Sequence, residues 1–289
     1  MSTRQHTIAK EADYKGIGLH TGNMCNAVFK PAPQNSGVIL IRTDLPGAPR
    51  VQALYTNVLS VIRGTTVGNS AMRVHTIEHM LSAVYALGID NLEIELNANE
   101  PPVADGSSRV FFDALKEAGL VDQDAERKVL APQERLEYRS GETEITFEPA
   151  EELKLTTVLQ YKHPLIQEQE ISVTIEPERY RQEIATARTF CFDYEVEALK
   201  KQGLARGGSL DNAVVIGLDR IHNKEKSLRF PDEFARHKAL DLLGDLFLLG
   251  VRLQGHVKAV RPGHGHNINF VKMLAEKFVT EVPYAANRS

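Results

Sequence analysis

The chain has 289 residues, of which 42% are hydrophobic and 25% charged, with a formal net charge of -4. That length suits two domains able to bury their own cores, in a soluble globular protein, and the acidic balance argues against general nucleic-acid binding. Two cysteines, Cys25 and Cys191, make neither a disulfide framework nor a four-cysteine metal site; the polar start resembles no signal peptide and no apolar run is long enough to span a bilayer, so a cytoplasmic protein without stable membrane insertion is expected.

Residues 3–57 alternate polar and apolar positions, as in Met24-Cys25-Asn26-Ala27-Val28-Phe29, and read as short strands broken by Pro31-Ala32-Pro33 and Leu45-Pro46-Gly47. Residues 16–22 form a glycine-rich turn whose third glycine is misplaced for a dinucleotide fingerprint. His75-Thr76-Ile77-Glu78-His79 opens an apolar run with helical spacing that Gly88 ends, which predicts a helix carrying His75 and His79 one turn apart on one face. A strand follows through 91–96, then a helix through Val110, Phe111, Leu115 and Ala118, with Ser107 or Ser108 as its N-cap.

The charged stretch 121–128 reads as an interdomain linker, dividing the chain into modules 1–124 and 128–285. Strand patterns resume at 134–138, 144–147, 153–161 and 171–175. Residues 191–219 look like an insertion holding a helix, a glycine loop and a strand. A long helix is predicted over 232–249, a strand over 254–260 and a final helix over 267–279. Shifting the chain by 162 residues places Gly88 on Gly250, His75 on His237 and His79 on Asp241, and in both halves a helix ending in Leu-Gly leads to a strand, a loop and another helix. The halves therefore read as two related α+β modules from a duplication, each a β-sheet layered against helices.

Four metal-capable side chains come in two pairs with i, i+4 spacing, His75/His79 and His237/Asp241. A hydrolytic zinc takes three protein ligands and keeps one position for water, so one of the four is spare. Glu78 beside His79 offers a carboxylate to take a water proton, and Asp245, one turn beyond Asp241, could orient another group. His264 and His266, in a glycine-rich loop before the last helix, are both candidates to protonate a leaving amine. Two rivals stand: His75-x-x-Glu78-His79 fits the pattern of inverted zinc metalloproteases, and a two-module binding protein could hold a structural metal.

Thr76-Ile77-Glu78-His79, Ala187-Arg188-Thr189-Phe190, Arg236-His237-Lys238-Ala239-Leu240-Asp241 and Pro262-Gly263-His264, together with residues 16–22, Gly88-Ile89-Asp90-Asn91 and Asp105-Gly106-Ser107, resemble the UDP-3-O-acyl-N-acetylglucosamine deacetylases, zinc amidases of bacterial lipid A biosynthesis. The resemblance implies an active site between the modules and one catalytic Zn2+ held by His79, His237 and Asp241. It also implies Glu78 as general base, His264 as general acid oriented by Asp245, and Thr189 at the oxyanion. Lys238, Arg261, Tyr161, Phe190 and His20 would meet a small-molecule UDP-sugar substrate, although the family often has Phe where Tyr161 stands and Lys where Arg261 stands. Insertion 191–219 would form a passage for the acyl chain. Insertion 58–72 is mixed in polarity around Arg63-Gly64-Thr65-Thr66, which argues against an acyl-binding role. His75 would lie off the metal. A monomer is expected.

Overall fold

The computed structural model describes residues 3–279; the expected end of the second module, residues 280–285, lies outside the described residues. The first half runs β1 (Arg4–Ile8), β2 (Ala12–Ile17), β3 (Met24–Pro31), β4 (Val38–Arg42), β5 (Arg50–Gln52), a small sheet of β6 (Val58–Ser60), β7 (Thr66–Gly68) and β8 (Arg73–Val74), then α1 (Glu78–Leu87), β9 (Leu92–Leu96) and α2 (Arg109–Ala118). Its main sheet has the order β2-β3-β9-β4-β5, with β4 and β9 parallel and every other pair antiparallel. A parallel pair needs a long crossover, which the segment through α1 supplies. The alternation in β3 puts Cys25, Ala27 and Phe29 on the core face. Ser108 occupies the N-cap position of α2, but its hydroxyl is engaged by Tyr180 Oη, and the helix's first N–H, that of Arg109, is met by Ser107 Oγ instead.

The stretch expected as a linker is largely a strand, β10 (Leu120–Glu126), paired antiparallel with β1, so the polar residues there face solvent on an edge ribbon. Then come β11 (Val129–Leu130), β12 (Leu136–Ser140), β13 (Thr143–Glu148), β14 (Lys154–Gln160), β15 (Glu168–Thr174), α3 (Pro177–Glu183), β16 (Phe190–Phe192), α4 (Asp193–Lys201), β17 (Val214–Ile216), β18 (Ile221–His222), α5 (Glu233–Phe247), β19 (Arg252–Leu253), β20 (His256–Val260) and α6 (His264–Phe278). The second main sheet, β12-β13-β20-β14-β15, repeats the first strand for strand, including its single parallel pair, β14 with β20. Gly88 caps α1 and Gly250 closes the turn two residues past the cap of α5, both at φ 77°, the left-handed region that glycine allows without a Cβ penalty. The internal echo is thus real at the level of topology.

It fails in detail at His75. Thr76 has φ 53°, so the chain turns before Ile77, α1 begins only at Glu78, and His75 and His79 do not share a helix face. The insertion in the second half is also larger than expected: β16 and β17 pair in parallel around α4, and β18 adds a third, antiparallel strand beyond residue 219.

The helices of the two halves meet in the middle, α1 against α5, with α2 flanking the first and α6 the second, and α5 covering β14 and β15. All ten residues of α1 are buried, because one side packs within its own half and another on α5. Gly244 makes the crossing close: a Cβ there would lie 2.1 Å from the Glu78 carbonyl oxygen. At the far end of α1, Arg127 Nη2 donates to Gly88 O and Arg252 Nη1 to Tyr85 O, placing two cations where the helix carries its partial negative charge. Among so much apolar packing, the buried polar residues Glu78, His79, His237, Asp241 and Asp245 are the informative exceptions.

Candidate active site

The N-terminus of α1 presents Glu78 and His79, and α5 presents His237, Lys238, Asp241 and Asp245 on successive turns facing it. His79 Nε2 lies 3.7 Å and His237 Nε2 3.4 Å from Asp241 Oδ1, with one ligand atom from each of the three residues within 4.8 Å of the others. Tetrahedral coordination at zinc-like bond lengths spaces ligand atoms by about 3.3–3.4 Å. His237 Nδ1 sits 3.1 Å from Ala187 O, so the proton belongs on Nδ1 and the Nε2 lone pair faces the cluster.

Electrostatics agree. Burial pushes the His79 imidazole down to about 3, and it lowers His237 as well, so both rings are neutral and able to ligate. Burial works against the Asp241 carboxylate, but the positive charges of Lys238 beside it and of His264 beyond outweigh that and hold it ionised. Its Oδ2 accepts from Lys238 Nζ at 2.8 Å, while Oδ1 is buried with no hydrogen-bond partner. An ionised oxygen left unpaired in a protein interior costs several kcal/mol, and a cation between Oδ1 and the two imidazoles removes that cost. The donor set fits a divalent metal.

Beside the cluster, His264 Nε2 faces Glu78 Oε1 at 3.8 Å and Asp241 Oδ2 at 4.0 Å. Desolvation raises the Glu78 carboxyl to about 7. Burial disfavours the His264 imidazolium, yet Asp245 and then Glu78 overcome it and raise the ring to about 9. Asp245 Oδ2 accepts from His264 Nδ1 and from Asn267 Nδ2, both at 2.9 Å. The structure separates the two candidate loop histidines: α6 starts at His264 rather than Asn267, and a helical first turn sends His266 to Tyr138 Oη, 3.1 Å away, outside the cluster. His75 is likewise outside, its Nδ1 2.9 Å from Thr66 Oγ1, which removes the footing of the inverted-protease pattern.

The family model for UDP-3-O-acyl N-acetylglycosamine deacetylases matches residues 5–276. The chain belongs to this family. Among curated relatives, the UDP-3-O-acyl-N-acetylglucosamine deacetylase of Bdellovibrio bacteriovorus is 45% identical over 260 residues, covering 90% of this chain and 86% of that protein. The one from Myxococcus xanthus is 37% identical over 288 residues, 99% and 91%. The bifunctional enzyme LpxC/FabZ of Chlorobaculum tepidum is 41% identical over 301 residues; the match takes in 95% of this chain and 64% of that longer protein.

The other residues expected of a deacetylase of this family sit around the cluster at varying remove. Phe190 packs 6.2 Å from the His237 ring and under Lys238 Nζ at 5.4 Å. Thr189 precedes it and, with Phe190, borders a cavity of about 270 Å³ walled by Leu19, Val196, Leu199, Leu210 and Val215, between the second insertion and the glycine turn. His20 bridges three segments: its backbone N–H meets the buried Glu100 carboxylate, Nε2 lies 3.1 Å from Arg63 O, and Nδ1 accepts from Ala205 N–H. Tyr161 packs on Phe192, and the Arg261 guanidinium is engaged by Glu142. Sequence reasoning missed Thr65, whose N–H donates to Glu78 and whose hydroxyl donates to Asp245. It also missed the fully buried Glu233, which clamps Arg188 at 2.7 Å and ties the segment carrying Thr189, just before β16, to α5. Neither has a local sequence signal, since each works across a long chain separation.

Proposed function

We propose that this chain hydrolyses the N-acetyl group of a UDP-linked 3-O-acyl-N-acetylglucosamine, giving acetate and a free amine, an early step of lipid A biosynthesis. One Zn2+ would be held by His79, His237 and Asp241. The observation that carries this reading is the unpaired, buried Asp241 Oδ1 beside two neutral imidazoles, set against the Glu78–His264 pair.

A zinc ion bound there supplies Lewis acidity, polarising a carbonyl and making a water acidic near neutral pH. Glu78 accepts the water's proton at Oε1, the oxygen turned toward His264. As the oxygen adds to the amide carbon, the Thr189 hydroxyl donates to the developing oxyanion. His264, held by Asp245 through Nδ1, keeps a proton on Nε2 and gives it to the departing nitrogen as the C–N bond breaks. Lys238 and Arg261 would bind the diphosphate or sugar, Tyr161 the uracil, Phe190 and His20 the walls of the site, and the cavity beside Thr189 the acyl chain. The reading takes the enzyme as a cytoplasmic monomer; among the described residues no helix is long and apolar enough to cross a membrane.

The test is acetate release by zinc-loaded protein from the 3-O-acylated substrate and from its unacylated counterpart. Faster turnover of the acylated compound is expected. No acetate from either would overturn the reaction, and equal rates would overturn the acyl passage.

A further inference from the structure

The first insertion has no acyl-binding pattern in its sequence, and its tip lies against the proton-handling groups. Thr65, fully buried just before β7, reaches both halves of the molecule. Its backbone N–H donates to Glu78 Oε2 at 2.9 Å and its carbonyl accepts from Ile77 N–H at 3.2 Å, so it closes the entrance to α1. Its hydroxyl donates to Asp245 Oδ1 at 2.5 Å, and His264 Nδ1 lies 3.4 Å from Thr65 Oγ1. The preceding Gly64 leaves the other Glu78 oxygen uncovered: a Cβ at 64 would sit 3.0 Å from Oε1.

We infer that Gly64-Thr65 is a positioning element for the deacetylation proposed above, fixing which Glu78 oxygen is free and the plane of the Asp245 carboxylate that orients His264. With Oε2 tied to a backbone N–H, Oε1 is the oxygen presented to His264 Nε2. With Oδ1 tied to Thr65 and Oδ2 shared by His264 and Asn267, the Asp245 carboxylate cannot rotate without losing a charge-assisted hydrogen bond. One residue thereby sets base and acid relative to each other, although they belong to different halves of the chain. Neither Gly64 nor Thr65 is among the three ligand residues, and the element acts through Glu78 and Asp245 without reaching the reacting atoms.

Thr65→Val keeps the backbone contact and the shape but removes the hydroxyl. It is expected to lower kcat by about 10- to 100-fold, the usual effect of losing a partner that orients a catalytic group, with KM and zinc content unchanged. Thr65→Ser should recover most of the loss. Gly64→Ala should lower kcat with zinc content unchanged, by crowding Oε1. Wild-type kcat in Thr65→Val, or a loss that Thr65→Ser does not recover, overturns the inference. Crystal structures of Thr65→Val and the parent address it without turnover. A shifted Asp245 carboxylate and His264 ring support the positioning role, and unchanged positions refute it. That readout holds even if acetate is never released, so failure of the substrate reading and failure of this inference are distinguishable.

Discussion

Gly244→Ala is a sensitive probe of the site because it acts on the seam instead of on the chemistry. An ideal Cβ at 244 would lie 2.1 Å from Glu78 O, 2.7 Å from Glu78 C and 2.8 Å from Glu78 Cα, all backbone atoms that no rotamer change can move aside. Contacts between non-bonded heavy atoms settle at about 3.5–4.0 Å, so α1 and α5 must separate by on the order of 1 Å. That gap falls between His79 on α1 and the His237–Asp241 pair on α5, whose present 3.7 Å and 3.4 Å spacings suit a shared cation. A misplacement of about 1 Å can cost roughly 10²-fold in rate, and overpacking costs about 1–3 kcal/mol, or roughly 2–12 °C in Tm for a chain of this size. The assay is kcat/KM for deacetylation, zinc affinity by competition with a chromophoric chelator, and Tm by calorimetry, all on folded protein. Wild-type rate, affinity and Tm in Gly244→Ala would refute the claim that the helix crossing sets the site.

Glu78→Ala and His264→Ala should each lose about 10²- to 10⁴-fold in kcat while retaining zinc, whereas His266→Ala stays near normal; the reverse order for the two histidines in a steady-state assay would show that the wrong imidazole has been assigned. Chelation should abolish activity and zinc restore it, His237→Ala should lose the metal, and His75→Ala should keep it; elemental analysis showing metal lost from His75→Ala and kept by His237→Ala would reverse the ligand set. His264 is raised to about 9, so its proton persists through neutral pH and kcat/KM should fall as pH climbs through about 9. Glu78, raised to about 7 by desolvation, must be ionised, so the rate rises through that value or below it once a cation lowers the carboxyl. An alkaline limb that survives in His264→Ala would exclude His264 as its source.

Periodicity made much of this legible. The i, i+4 pair His237/Asp241, the alternation in β3 and the Gly88 stop of α1 follow from repeats of 3.6 and 2.0 and from glycine's access to positive φ. The errors arose where tertiary contacts overrode local pattern. His75 fits the helical spacing, yet Thr76 turns through φ 53° and its hydroxyl donates to the buried Glu100, so the helix begins three residues later, at Glu78. The charged 120–126 stretch is a strand because β1 offers it an edge, which composition does not reveal. Gly263-His264-Gly265 reads as loop, but the last helix starts inside it, and that one turn decides which histidine meets Asp245. Thr65 was invisible because its partners Glu78 and Asp245 are 13 and 180 residues away in sequence.

The two inserted sheets occupy the same slot in the duplicated topology, between the fourth main-sheet strand of each half and its central helix: β6, β7 and β8 before α1, and β16, β17 and β18 before α5. Doubling the module thus created two spare loops opening on one cleft, and they have diverged into different trades. The first brings Gly64 and Thr65 to the carboxylates, while the second contributes the apolar side of a cavity and touches the first through Arg63–Glu195. On the proposed reading that this cavity takes the acyl chain, exchanging side chains such as Val196, Leu199 and Val215 would change the chain length accepted without rebuilding the acid and base. In such a layout the choice of lipid can drift between lineages while the cutting chemistry stays fixed.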